Sequence, residues 1–318
     1  MRYLFGILTP LFLTLFSIRV DAAEKLRVVA TVAPITNIVK NVGGNRIDLH
    51  GVIPEGTDSH TFEPAPSDIK YLAQADLLIF NGLNLETPTE ELTKANKKKG
   101  GKVLKLGDNT IGKKEWVFDF SFPESEGNPN PHLWLNVVHV MRYAELIREA
   151  LIALDPEGKV YYEPRAAAYL ARLKKLDEAI LKTMETIPPK NRKLLTYHDS
   201  WAYFCPRYGC RVIGAIQPSS FSEPSPREMA RLIDQLKAEK VPAIFGSEVF
   251  PSKILDQIGK EAGVRYVTTL RDDDLPGALD APEHTYIGMM IEDVQTMAHV
   301  LGGKDDLMKG IDPQDLAP

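Results

Sequence analysis

The order of short apolar runs and amphipathic stretches limits this chain more than any other feature. In the first half, runs at 26–32 (LRVVATV), 47–53, 77–81 (LLIFN) and 102–106 alternate with helical patterns at 35–42, 67–74 and 86–99. Runs at 193–197, 211–216 (RVIGAI), 243–247 (AIFGS) and 265–270 (RYVTTL) repeat the rhythm in the second half, where Ser225-Pro226-Arg227-Glu228 opens a helix by capping-box chemistry. Strands separated by helices pair in parallel, so the pattern predicts an α/β fold of two lobes, each a four-stranded, mainly parallel sheet flanked by helices. Between the halves lies the longest helical pattern, 165–187, with Pro164 near its first turn and Ala168, Leu170, Leu173, Leu176, Ile180 and Met184 on one stripe. At ~1.5 Å per residue it spans roughly 35 Å, enough for one rigid helix to join two lobes. We assign 24–155 to the N-terminal lobe, 156–188 to the linking helix and 189–318 to the C-terminal lobe. A length of 318 residues with 44% hydrophobic composition allows the lobes separate cores. The polar stretch from Gly303 onward, with Pro313 and Pro318, predicts a frayed end.

Residues 1–22 read as a secretory signal: Met1-Arg2, an apolar run over 3–18, then Arg19 and small residues at Val20, Ala22 and Ala23. A membrane anchor would need about 20 apolar residues, and no cysteine near the cleavage point offers a lipid attachment site. The formal charge of −5 and pI near 5.9 give no reason to expect nucleic acid as a partner. Cys205 and Cys210, the two cysteines, flank Pro-Arg-Tyr-Gly. In a secreted chain an even count of cysteines at such short spacing favours a disulfide over a two-cysteine metal site, which would want a neighbouring histidine.

Three histidines stand where an apolar or proline-rich run gives way to a helical pattern: His60 in Ser59-His60-Thr61-Phe62-Glu63-Pro64, His132 in Asn130-Pro131-His132-Leu133-Trp134, and His198 in Tyr197-His198-Asp199-Ser200-Trp201. A lone imidazole in a loop is usually solvated, but ligands of open α/β sheets gather past the carboxyl ends of strands, and three such junctions suggest one site. The Asp272-Asp273-Asp274 run follows another strand end. Three imidazoles and a carboxylate suit Zn²⁺ in a tetrahedral shell and leave little room for a catalytic water. His50, His139, His284 and His299 lie in strand, helix or loop contexts that read as structural or solvated. The stretch 112–131, rich in Gly, Pro and acidic residues, reads as a solvated connection apart from the final Asn130-Pro131-His132.

The stretches HTFEPAPSD, NPHLWLN, YHDSWAYF, FGSEVF and DDDLPG, the last followed by Thr285-Tyr286-Ile287-Gly288, together resemble the zinc and manganese substrate-binding proteins of ABC transporters, the ZnuA-like and TroA-like family, in order and over essentially the whole chain. The resemblance implies two α/β lobes on one rigid helix with the metal between them. It implies His60, His132 and His198 as ligands and Asp273 as the fourth, with Asp274 as the alternative. His198 favours zinc, since the manganese branch commonly has Glu there. Glu63 and Glu248 match acidic positions suited to supporting hydrogen bonds. Asn130 and Asn136 stand where the family usually has Asp, and 112–131 lacks the histidines of many zinc members. The implied function is capture of Zn²⁺ in the periplasm, as a monomer, and its delivery to a membrane permease driven by a cytoplasmic ATPase. The alternatives are a secreted zinc hydrolase, for which no HExxH or nucleophile elbow is present, and a manganese-binding or adhesin-type protein of the same fold.

Overall fold

A computed structural model describes residues 24–217, 224–249, 253–268 and 270–317. The signal read at 1–22 lies outside the described residues. The first lobe runs β1 (Leu26–Ala30), α1 (Ala33–Gly43), β2 (Ile47–Gly51), α2 (Pro66–Gln74), β3 (Leu77–Phe80), α3 (Thr87–Asn96) and β4 (Lys102–Lys105). The helices α4 (Val137–Leu154) and α5 (Lys159–Glu185) follow. The second lobe runs β5 (Lys193–Thr196), α6 (Phe204–Tyr208), β6 (Arg211–Ala215), α7 (Pro226–Glu239), β7 (Ala243–Phe245), α8 (Lys253–Ala262), β8 (Arg265–Val267) and α9 (Tyr286–Leu301).

Among the described residues the strands form two parallel sheets of the same order, β2-β1-β3-β4 and β6-β5-β7-β8. Each sheet is wound outward in both directions from its first strand, so the carboxyl ends of β1 and β3, and of β5 and β7, flank a switch point where a crevice opens. All four residues of β3 are buried, as its unbroken LLIF run requires for a strand covered on both faces. Register follows the apolar pattern, with Val28, Val29 and Ala30 opposite Leu77, Leu78 and Ile79.

The linking helix holds 27 residues and buries Tyr162, Ala166, Tyr169, Leu173, Leu176, Ile180 and Met184 along one stripe. It begins at Lys159, earlier than the apolar pattern indicates, so Pro164 sits inside it. The carbonyl that a missing amide proton leaves unpaired is that of Val160, on a residue 82% exposed, where water can reach it.

Two sequence expectations are overturned. The lobes do not have wholly separate cores. One contiguous apolar cluster joins β1, α1 and β3 to α4, α5 and α9 and reaches Leu194, Trp201, Phe204 and Phe245 of the second lobe, while a smaller cluster around Leu195, Ile213, Leu236, Ile244 and Ile258 fills the outer part of that lobe. Nor is the end of the chain frayed. Gly302 (φ +83°) closes α9 in the left-handed region where a side chain would be strained. Beyond it Met308 is fully buried, and Asp315 accepts from Asn37 Nδ2 (2.9 Å) and Asn41 Nδ2 (2.8 Å) of α1 while pairing with Lys40 (2.8 Å). Arg172 of α5 holds Asp312 (2.9 Å), and Arg165 donates to the Ala317 carbonyl (2.6 Å). The tail is polar because it runs along the surface, yet it is ordered by side chains more than 100 residues away, which local pattern does not reveal.

Candidate metal centre

His60 lies in the loop after β2. Its amide donates to Asp58 Oδ1 (2.9 Å) and Thr61 Oγ1 donates to Asp58 Oδ2 (3.0 Å), an Asx turn that fixes the loop around the imidazole. His132 precedes a single 3₁₀ turn, Leu133–Leu135, that is wholly buried and leads into α4, whose start is capped by Asn136 Oδ1 accepting from Val138 N (3.0 Å). His198 follows β5 by one residue. The three imidazoles meet: His60 Nε2 lies 3.3 Å from His132 Nε2 and 3.2 Å from His198 Nε2. Two nitrogens on a tetrahedral ion with bonds of about 2.0–2.1 Å stand roughly 3.3 Å apart, so these spacings fit one Zn²⁺-sized cation.

The Nδ1 atoms of His132 and His198 are committed. His132 Nδ1 lies 2.8 Å from Asn130 Oδ1, which also accepts from the His132 amide (3.1 Å). His198 Nδ1 lies 2.7 Å from Asp272 Oδ2. An amide or carboxylate oxygen requires N–H on that side, so it is the Nε2 atoms that face the common point, each offering a lone pair once its ring is neutral. Burial, and after it the charge of His198, holds His60 and His132 well below the ordinary imidazole pKa. Burial lowers His198 as well, but the field and hydrogen bond of Asp272, with Asp273 and Asp58 adding, outweigh it and push His198 up to about 10.

The acidic run after β8 divides its tasks. Glu248 Oε1 accepts from the amides of Asp272 (3.0 Å), Asp273 (3.0 Å) and Asp274 (2.9 Å), folding the three residues around one carboxylate. Trp134 Nε1 donates to the Asp272 carbonyl (2.6 Å). Asp273 accepts from Ser59 Oγ (3.1 Å) through Oδ2, while its Oδ1 is buried and has no hydrogen-bond partner among the described residues. Asp274 Oδ2 is taken by the Gly56 amide (2.7 Å). The grouping of nitrogens within 4.8 Å of one another contains the three histidines and not Asp273, so Asp273 would have to move inward to ligate the same ion. Glu63 is exposed and makes no hydrogen bond to these residues among those described. Cys205 and Cys210 form a disulfide at α6, which is helical rather than an open loop. Arg207 and Tyr208 of α6 bind Asp177 of α5 (Tyr208 OH 2.8 Å), securing this corner to the linking helix.

The stretch 112–131 is solvated only in part: 112–115 and 124–128 are exposed, but 121 and 122 turn inward. Ser121 is almost fully buried and Phe122 is 7% exposed, and Phe122 packs 5.6 Å from His60 and 5.8 Å from His132 by ring centroids, covering the site. Asn130, which the sequence already sets apart, is fully buried. Ser121 N donates to Asp199 Oδ2 (2.7 Å) and Ser121 Oγ to the Gln217 carbonyl (2.5 Å). Asp119, pushed up to about 9 by burial and then by Asp199, lies beside the Asn130 amide. Sequence reading missed Asp272, Phe122 and the Asp119–Asp199 pair. For Asp272 a signal existed: in an acidic run past a strand, neighbours face different ways, so one acid can touch the third imidazole while the next faces the crevice.

The family model described as zinc-uptake complex component A, periplasmic, matches residues 28–300. The chain is 31% identical to the metal ABC transporter substrate-binding lipoprotein FimA of Streptococcus parasanguinis, over 80% of this chain and 82% of that one. It is 30% identical to the manganese ABC transporter substrate-binding lipoprotein PsaA of Streptococcus pneumoniae, over 88% and 90%. The periplasmic zinc-binding protein TroA of Treponema pallidum superposes with a TM-score of 0.79 at 28% identity, over 87% of this chain and 99% of that one.

Proposed function

Because this chain belongs to the family of the periplasmic zinc-uptake complex component A, and is therefore a metal-binding substrate-binding protein of an ABC transporter and not an enzyme, we propose that its cargo is Zn²⁺. The proposed ligands are His60, His132, His198 and, after a small inward movement, Asp273. The observation that carries this reading is the 3.2–3.3 Å spacing of the Nε2 atoms with both remaining Nδ1 contacts fitting N–H donors. Three imidazoles and one carboxylate are borderline ligands that match zinc better than the harder manganese ion. Manganese is the second reading, supported by the names of several relatives, PsaA and the manganese-binding lipoprotein MntA of Halalkalibacterium halodurans among them, and by a Mn-bound periplasmic metal-binding protein of the same fold. Asp274 is the weaker fourth ligand because Gly56 already occupies its oxygen. Glu248 shapes the turn that carries Asp273, and Glu63 has no such part.

The cargo would be held in the crevice between the lobes, at 24–155 and 189–318, and passed as a monomer to a membrane permease with its ATPase. The proposed leader, 1–22, would send the chain to the periplasm. Both cysteines of the sequence are in the disulfide, so neither is free to carry a lipid. Binding requires neutral imidazoles, and His60 and His132 are already neutral. His198, held up to about 10 by Asp272, must lose its proton. Affinity therefore rises with pH across the whole neutral range and beyond it, not over the ordinary imidazole range alone.

Isothermal titration of the metal-stripped chain with Zn²⁺ and Mn²⁺, each at several pH values, tests the reading. One Zn²⁺ per chain, preferred over Mn²⁺, is expected. Preference for Mn²⁺ moves the assignment to the second reading, and binding of neither ion ends it.

A further inference from the structure

Glu86 is fully buried at the start of α3, outside the metal centre. Its Oε1 accepts from Thr31 Oγ1 (2.6 Å) and the Asn81 amide (2.8 Å), and its Oε2 accepts from the Gly82 amide (3.2 Å). Thr31 and Asn81 each follow the last residue of a central strand, β1 and β3. Asn81 is itself fully committed: Nδ2 donates to the Pro131 carbonyl (2.8 Å), immediately before His132, and Oδ1 accepts from Tyr143 OH of α4 (2.7 Å). The Thr31 carbonyl accepts from the Ile53 amide (3.4 Å), where the chain leaves β2 toward His60. One carboxylate thus sits behind the roots of both N-lobe histidines. The turn that returns it there is strained. Gly82, Leu83 and Asn84 all have positive φ (80°, 52° and 65°), and a Cβ on Gly82 would stand 2.0 Å from Asp108 Oδ2. Two non-glycine residues in that region are strained, and such strain is retained where the surrounding structure demands the conformation.

We propose that Glu86 is a positioning residue for metal capture: its carboxylate, bound by neutral donors alone, locks the ends of β1 and β3 and, through Asn81, the Pro131 carbonyl that aims His132. This rests on the metal-carrier reading above. The ionised form fits the three donors it faces, whereas a protonated carboxyl would set one O–H against them. The charged and titratable groups around it are Glu90 on α3, which is paired with Lys105 of β4, Tyr143 on α4, and Asp108, which accepts from the Leu83 amide (3.0 Å). No cation contacts Glu86 among the described residues. Burial pushes its pKa up to about 7, so its charge changes within the range where the protein can be assayed.

The test uses the metal-stripped full chain, Zn²⁺ alone as probe, and competition with a chelating dye from pH 5.5 to 8.5. Glu86→Gln keeps the shape but not the charge. It is expected to weaken Zn²⁺ binding about 10-fold at pH 8.5, in the range of supporting-residue losses, and by a factor falling toward one at pH 5.5, where the native carboxyl also carries a proton. Thr31→Val, which removes one donor, should move the midpoint of that convergence to higher pH. A Glu86→Gln to native ratio of one throughout, or a ratio that does not change with pH, overturns the proposal, the latter marking a packing role. Failure of the native chain to bind Zn²⁺ would instead remove the zinc assignment on which it rests.

Discussion

His198 differs from its two companions in holding a proton that a metal ion must displace. Its contact with Asp272 (2.7 Å) makes this so, and the sign of the linkage follows. With its folded pKa raised to about 10, the pair's contribution to the metal-free fold is complete below the ordinary imidazole value of about 6.5 and is lost as pH rises through about 10. Zn²⁺ binding at pH 7.5 should release one proton from His198 and up to one more from Asp273, which burial and then Asp272 hold well above the ordinary carboxylate range, read from the dependence of titration enthalpy on buffer ionisation. In Asp272→Asn the release from His198 should fall toward zero, and affinity should drop by about 10–100-fold because the ring loses its orienting partner. Release of three or more protons by the native chain would contradict neutral His60 and His132. The neighbouring acids give a second comparison. Asp273→Asn should weaken Zn²⁺ by at least about 10-fold, while Asp274→Asn, whose carboxylate is spent on Gly56, should leave affinity within about threefold. The reverse order would make Asp274 the ligand.

At the scale of elements, the tail and the stretch before His132 behave unlike ordinary loops. Asp315 ties the end of the chain to α1 through two asparagine donors and Lys40, and Asn37 Oδ1 accepts in turn from the Tyr286 amide at the start of α9 (3.0 Å). Asp315→Ala leaves the buried Asn37 Nδ2 short of an acceptor, while Asn41 Nδ2 keeps the Asn37 carbonyl (3.0 Å), and should cost about 1–3 kcal/mol, measured as a shift in urea midpoint. A loss under about 0.3 kcal/mol would mean that the tail is held by Met308 and its apolar neighbours alone. Zinc affinity is not expected to follow, since the contact lies outside the histidine grouping. The stretch 112–131 carries Phe122 and Asn130 to the site, and its composition hides this. Pro, Gly and acidic residues also make a segment that is irregular yet packed, provided its amides find partners, as Ser121 and Asn130 do in Asp199, Val117 and Asp119.

For the whole molecule, the shared apolar cluster is the governing fact. A core that runs from β1 through α4 and α5 to α9 couples the lobes, so heating the metal-free protein should give a single cooperative transition. Two resolved transitions would show that the smaller cluster around Leu195 and Ile244 melts on its own. Zn²⁺ at about 1,000 times its Kd should add ~4 kcal/mol by mass action. The same continuity favours small adjustments around the ion over a wide hinge, and movement of Asp273 toward the histidines is of that kind.

The chain's pattern alone determined the parallel strands, their grouping into two sheets, the linking helix and the three histidines, because period and strand-end position are local properties that a single sequence records. The disulfide was legible for a similar reason: two cysteines five residues apart can hardly avoid each other. Tertiary structure decided which nitrogen of each ring points inward, which acid of the run faces His198, that Glu86 reaches both central strands, and that one core spans both lobes. Each of these depends on side chains distant in sequence meeting in a crevice that exists only when both sheets are built and packed, and hydrogen-bond direction and burial, unlike periodicity, have no value until then.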